Sequence, residues 1–223
     1  MNEIKVSAFR WVPPFVQGYV RDLRVRWALE EAGMPYTERL IGAPEQASTY
    51  YRALQPFGQV PAYEEDGLAM FESGAILLHI AERSPALLPT DVAGRAGVLA
   101  WMFAALNTIE PPMSMLNVID FQPGGVQDGE KALRRRVLGH IDLRLGELAA
   151  ALGGQAYLVA DRFSAADLLM ATVLRTLDPP DRLTTRPLLD AYQARCLARP
   201  AYQRAMDAQM AAFAAHAPAG QGG

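Results

Sequence analysis

Hydrophobic positions recur with two different periods along the chain, and the change of period divides it. The opening stretch "IKVSAF" alternates like a short strand. In "VRDLRVRWALEEA", Val20, Leu23 and Trp27 fall on one helical stripe, with Val25 and Ala28 flanking it and Gly33 supplying a stop. "MPYTERLIG" alternates again, and "PEQASTYYRAL" reads as a short helix begun by Pro44 and broken by Gln55-Pro56-Phe57-Gly58. "VPAYEEDGLAMF" predicts two short strands around Asp66-Gly67, and "SGAILLHIAERS" a closing helix. The predicted order over residues 1–83 is β-α-β-α-β-β-α, a mixed α/β sheet with helices on it.

After Pro85 and Pro89 the strand signal fades. Five apolar-periodic segments follow: "AGRAGVLAWMFAALNTI", "GEKALRRRVLGHIDLRLGELAAALG", "SAADLLMATVLRTL", "PLLDAYQARCLA" and "AYQRAMDAQMAAFAA". Ala- and Leu-rich helices parted by Pro and Gly read as an all-helical second domain, residues 91–216, joined to the first near 83–91. The terminal "APAGQGG", 217–223, reads as a disordered tail.

Composition narrows the classes without choosing among them. The 223 residues are 51% apolar and 20% charged, as in ordinary globular proteins. A chain of this length buries roughly 70% of its unfolded surface and folds without metal or disulfide. The net charge of −3 argues against nucleic acid and anionic membrane as partners. The basic run Arg134-Arg135-Arg136 lies in a helical segment with acidic residues nearby and reads as a solvated face. A single cysteine, Cys196, excludes an internal disulfide and suits a reducing compartment. The N-terminus lacks the pattern of a signal peptide, and no apolar run approaches the roughly 18–20 residues that span a bilayer. A cytoplasmic protein is expected. His79, His140 and His216 lack metal-ligand spacing, so no metal is expected, and there is no Walker or Rossmann fingerprint.

The chemistry concentrates in "GQVPAYEEDGLAMFESGAIL", residues 58–77. Pro61 stands where a strand should begin and cannot donate to a sheet ladder. A cis Val60–Pro61 bond would turn the backbone of Val60 outward, to pair with an extended peptide-like ligand. Glu72-Ser73 precedes a helix: Ser73 is a good N-cap, and the first N–H groups of the helix suit a carboxylate. Glu72 suits an ammonium. A strand-start proline and a simple cap are the bland alternatives for each feature alone. Together they describe a ligand with an α-amino acid end and a peptide-like middle.

The element order, "GQVPAY", "FESGAIL" and the helical second half resemble the cytosolic glutathione S-transferases, over essentially the whole chain up to the tail. "RVRWALEEAGMPY" looks like that family's first helix, and "YLVADRFSAADLLMATVL" like its buried capping box. In that box Ser164 and Asp167 cap each other, and Phe163 and Leu168 are placed for a hydrophobic staple. The resemblance implies a thioredoxin-like first domain, glutathione as co-substrate, an electrophilic and mostly apolar small molecule as its partner, and a homodimer. It implies that Gln59 meets the glycyl end of glutathione, Val60 and Pro61 the cysteinyl backbone, and Glu72 with Ser73 the γ-glutamyl end. Trp101, Met102, Phe103, Asn107, Met113 and Met115 match the helix that lines the family's second-substrate pocket; Phe103 and Asn107, with Phe15, are the candidates for it. Core packing is the alternative reading of that stripe.

In such a protein the nucleophile arrives with the ligand. A thiol of pKa about 8.5 is roughly 7% ionised near pH 7.4. Lowering that pKa by about two units asks the site for roughly 2.7 kcal/mol. The family places Tyr, Ser or Cys at the start of the first helix. Here "WVPPFVQGYVRD" puts Tyr19 at the Ser-type position, Arg21 at the Cys-type position and Phe15 at the Tyr-type position. Tyr19 as hydroxyl donor and Arg21 as cation are the catalytic candidates; a packed tyrosine and an arginine paired with Asp22 are the alternatives. Cys196, in a late helix, reads as a small buried hydrophobe. A glutathione transferase is the expectation. A glutathione-dependent isomerase or dehalogenase would use the same thiolate, and a non-catalytic binding or regulatory protein would keep the fold alone.

Overall fold

The computed structural model describes residues 3–177 and 181–218. Residues 219–223 of the expected tail lie outside the described residues. The chain forms two compact units, one reaching from the N-terminus to Leu88 and joined by the segment from Ala198, the other Pro89–Leu197.

The first unit carries β1 (Ile4–Phe9), α1 (Asp22–Ala32), β2 (Tyr36–Ile41), α2 (Ala43–Ala47), α3 (Thr49–Leu54), β3 (Ala62–Glu65), β4 (Leu68–Phe71) and α4 (Ser73–Ala81). Its sheet runs β2-β1-β3-β4, with β1 parallel to β2 and antiparallel to β3. This is the predicted order, with one refinement. The second helix is broken in two, because Ser48 sits in extended backbone and caps α3 by accepting from Tyr51 N–H at 3.1 Å. Asp66 and Gly67, both at positive φ, close the β3–β4 hairpin, and Gly33 at φ 64° ends α1.

α1 is unusual in what it buries. Leu23, Val25, Trp27, Ala28 and Leu29 are core residues, but so are Asp22, Arg24 and Arg26. The charges are paired. Arg26 Nε donates to Asp22 at 2.7 Å and Arg26 Nη1 pairs with Glu38 on β2. Gln209 Nε2 donates to the other Asp22 oxygen at 2.8 Å and to Val20 C=O at 3.3 Å. Burial pushes the Asp22 carboxyl up from its ordinary value, against the attraction of Arg26. Gln209 lies on α11 (Pro200–Ala215), which the sequence groups with the helical half; it packs in the first unit against α1, with Trp27 and Tyr202 edge to face at 4.9 Å.

The second unit is helical: α5 (Val92–Ala104), α6 (Glu110–Asp120), α7 (Asp128–Leu152), α8 (Ala165–Leu174), α9 (Asp181–Thr184) and α10 (Pro187–Leu197). Asp91 caps α5 by accepting from Gly94 N–H at 2.7 Å. α8 is buried on every side, and its N-terminus is tied by Asp167, which accepts from Ser164 N–H at 2.9 Å and from the Ser164 hydroxyl at 3.0 Å. Asp167 also accepts from Leu158 N–H at 2.9 Å and Tyr192 Oη at 3.0 Å, so the expected capping box belongs to a larger buried network. Of the basic run, Arg134 is half-buried in a two-pronged pair with Asp120, and Arg135 and Arg136 are exposed.

One expectation is corrected here. The apolar-periodic segments stop at Ile109 and resume at Gly129, yet α5 and α6 are one continuous helix, Val92–Asp120, of 29 residues, running through Pro111 and Pro112. A π turn, Ala105–Ile109, makes this work by taking Glu110 N–H to Ala105 C=O just before the two residues that have no N–H to give. The helix is therefore long and apolar enough to cross a membrane, a property that core helices of globular proteins share.

Candidate functional site

The segment linking α3 to β3 is held at both ends and open in the middle. Gln55 grips its start, with its C=O taking Gly58 N–H at 2.9 Å and its side-chain oxygen taking Phe57 N–H at 2.7 Å. Gln46 Nε2 donates to Gly58 C=O at 2.5 Å. Further on, Tyr51 Oη donates to Gln59 C=O at 2.6 Å, and Ala62 N–H donates to Ser7 Oγ at 2.6 Å. Between these anchors the Val60–Pro61 bond is cis. The Val60 side chain packs with Ile41, Tyr51 and Ala62, while neither its N–H nor its C=O has a hydrogen-bond partner among the described residues. Gln59 is exposed and Pro61 buried.

The hairpin brings a helix start to the same place. Ala62 pairs with Phe71, so the residues just beyond them, Pro61 and Glu72, leave the sheet at the same end. Ser73 was expected to cap α4. Instead Glu72 holds the cap position at φ 70°, and Ser73 is the first helical residue. A non-glycine residue rarely adopts that φ, and sites built to hold a ligand are where such conformations are kept. Glu72 is exposed; Ser73 is buried, and its Oγ accepts from the buried Arg24 guanidinium at 3.3 Å. The Ser73 proton has no acceptor among the described residues. A hydroxyl ready to donate, a guanidinium behind it and an unpaired helix N-terminus together favour a carboxylate.

The loop before α1 is shaped by a 3-10 turn, Pro14–Val16, with Gln17 Nε2 donating to Val12 C=O at 2.9 Å and Tyr19 N–H to Val16 C=O at 3.0 Å. Phe15 and Tyr19 are exposed, at 73% and 48%, and Arg21 is exposed at the cap position of α1. The bland alternative for Arg21, a pair with Asp22, meets an Asp22 carboxylate already engaged by Arg26 and Gln209.

On the helix Val92–Asp120, Phe103, Asn107 and Met115 are exposed, Trp101 is half-buried, and Met102 and Met113 are core. Cys196 is fully buried, as expected of a small hydrophobe. Among the described residues no cluster of His, Cys, Asp or Glu is arranged to hold a metal.

Three supporting residues, Ser7, Tyr51 and Arg24, escape the sequence reading. In "IKVSAF" Ser7 alternates with Lys5 as if both faced water, but Tyr51 on α3 covers it. Arg24 reads as a surface charge because its partner Ser73 lies 49 residues away.

Known proteins resemble this chain at both sequence and fold level. The model of the glutathione S-transferase N-terminal domain matches residues 16–82 and that of the C-terminal domain residues 101–200. A glutathione S-transferase of Hyoscyamus muticus is 33% identical over 203 residues, covering 83% of this chain and 92% of that one. The crystal structure of a glutathione transferase from Burkholderia graminis, with two glutathione molecules bound per subunit, is 26% identical, with a TM-score of 0.79 over 92% of this chain and 88% of that one. The nitrogen regulation fragment of the yeast prion protein Ure2p shares the fold, at 20% identity and a TM-score of 0.75 over 92% of this chain and 96% of that one.

Proposed function

Because the chain belongs to the glutathione S-transferase family, we propose that it binds glutathione on the Gln59–Pro61 segment and α4 N-terminus and ionises its thiol for attack on an electrophilic, mostly apolar small molecule. The observation that carries this is the pair of open Val60 peptide groups at the sheet end where Glu72 and Ser73 begin α4. In this reading Val60 N–H donates to the cysteinyl carbonyl and Val60 C=O accepts the cysteinyl N–H, two strand-like bonds that need no side chain. Gln59 meets the glycyl end. The Ser73 hydroxyl and the first N–H groups of α4 hold the γ-glutamyl carboxylate, and Glu72 pairs with the ammonium.

The thiol then faces the start of α1, where Tyr19 and Arg21 supply a hydroxyl and a cation. The thiolate is the nucleophile, so the protein needs no side-chain nucleophile of its own. Its tasks are to hold the anion and to place the acceptor. We read the assembly as a homodimer and the location as cytoplasmic.

Isothermal titration of the purified protein with glutathione tests the reading. Saturable binding is expected, abolished by Ser73→Ala combined with Glu72→Gln. No binding to the parent protein overturns it. Binding without thiolate formation or turnover would assign the chain the regulatory role instead.

A further inference from the structure

The proton directions behind the Gln59–Ala62 segment are fixed by chemistry alone. A carbonyl only accepts, so Tyr51 spends its single proton on Gln59 C=O, 2.6 Å away. The 2.8 Å contact between Ser7 Oγ and Tyr51 Oη therefore has Ser7 as donor. Ser7 in turn accepts from Ala62 N–H at 2.6 Å. The result is one buried chain, Ala62 N–H to Ser7 to Tyr51 to Gln59 C=O, with every donor and acceptor used in one direction. Burial pushes the Tyr51 phenol up, so it stays a neutral donor at physiological pH.

Each end of this chain grips a different peptide plane. Gln59 C=O and Val60 N–H belong to one planar unit, in which the two bonds point in opposite directions. Drawing the carbonyl inward onto Tyr51 therefore turns Val60 N–H outward. Pro61 C=O and Ala62 N–H form another unit, held through Ser7. The Val60 carbonyl belongs to the unit between them, so its direction follows from the two that are clamped.

We infer that Ser7 and Tyr51 are positioning residues for the peptide-like part of the ligand, aiming the N–H and C=O of Val60 from behind without touching the ligand. The role rests on glutathione binding at this segment. It predicts where the selectivity lies: the clamp acts on the cysteinyl backbone contact and leaves the γ-glutamyl contact at Ser73 alone.

The test compares glutathione with an analogue methylated on its cysteinyl nitrogen and carrying CH2 in place of its cysteinyl carbonyl, which can make neither bond to Val60, in calorimetric titrations of the full chain. For the parent, loss of the two bonds weakens binding. Tyr51→Phe keeps the ring and removes the donor; it should weaken glutathione about tenfold, the worth of one well-placed hydrogen bond, and the analogue by less than about twofold. A circular dichroism melt confirms the fold of the variant. Unchanged glutathione affinity overturns the inference, and so does equal weakening of both ligands, which marks general loosening. If Tyr51→Phe does not fold, Ser7→Ala decides in the same two titrations, with a loss of about threefold expected for glutathione alone. Failure of the parent to bind glutathione at all would instead overturn the underlying functional reading.

Discussion

Arg24 and Ser73 meet inside the first unit, with the guanidinium Nη1 donating to the serine oxygen across 3.3 Å. The bond leaves the serine proton directed elsewhere and places a buried positive charge behind the first turn of α4. Ser73→Ala should therefore weaken glutathione binding by about tenfold or more, because a charge-assisted donor to the carboxylate is lost. Ser73→Thr should retain most of the affinity. Calorimetric titration reads both, and an unchanged constant for Ser73→Ala would move the γ-glutamyl end off α4.

A second internal clamp joins the two ends of the chain. Gln209 on α11 is fully buried and donates to Asp22, 187 residues away, at the first residue of α1. Gln209→Ala removes a hydrogen bond to a buried charge and leaves a space beside it. A loss of about 2 kcal/mol in urea unfolding is expected. A change under about 0.5 kcal/mol, the size of an ordinary surface substitution, would mean that α11 holds α1 by packing alone.

Glu65 gives a pH dependence with a definite sign. Arg83 donates to it at 2.6 Å and Tyr63 at 2.6 Å, and the Arg83 hydrogen bond, opposed by burial, holds its carboxyl below the ordinary value. The stability it contributes is therefore complete above the unfolded glutamate pKa of about 4.3 and is lost as the pH falls through the lower folded value. Glu65→Gln should cost about 1–2 kcal/mol near neutral pH, at the modest end because Arg83 is partly exposed. The gap between parent and variant should shrink as the pH drops below about 4. Chemical unfolding at a series of pH values checks it, and a gap that widens in acid would contradict the assignment.

The local signals were legible because their causes are local. Gly33 at positive φ, the Asp66-Gly67 hairpin and the cis Val60–Pro61 bond are each written in two or three adjacent residues. The charges of α1 were not legible. "RDLRVR" reads as a polar helix start until Glu38, Ser73 and Gln209 arrive from three other elements to bury Asp22, Arg24 and Arg26. Ser7 was hidden for the same reason, since alternation assigned it to water and Tyr51 covers it. The continuation of α5 through Pro111-Pro112 was not legible either, because a helix passes two residues without N–H groups when a π turn precedes them. The open peptide groups of Val60 follow from the sequence, but the side chains that aim them do not.

The sharpest remaining prediction concerns the thiol. Two of the backbone donors at the start of α1 are already committed: Leu23 N–H bonds to Val20 C=O and Arg24 N–H to Arg21 C=O, both at 3.1 Å. If glutathione binds as proposed, the exposed side chains there, Tyr19 and Arg21, are the candidates for holding its thiolate. The ultraviolet absorbance of the bound thiolate, followed against pH, separates them. Tyr19→Phe should raise the midpoint by about one unit if the phenol donates to sulfur, since one such hydrogen bond is worth about 1.4 kcal/mol. Arg21→Gln should raise it by a similar amount if the cation faces the anion, and that shift alone should shrink in high salt, because an exposed charge is screened and a hydrogen bond is not. A midpoint moved by one substitution and not the other names the donor. A midpoint moved by neither would overturn both candidates and return the role to the helix backbone, against the bonding of Leu23 and Arg24.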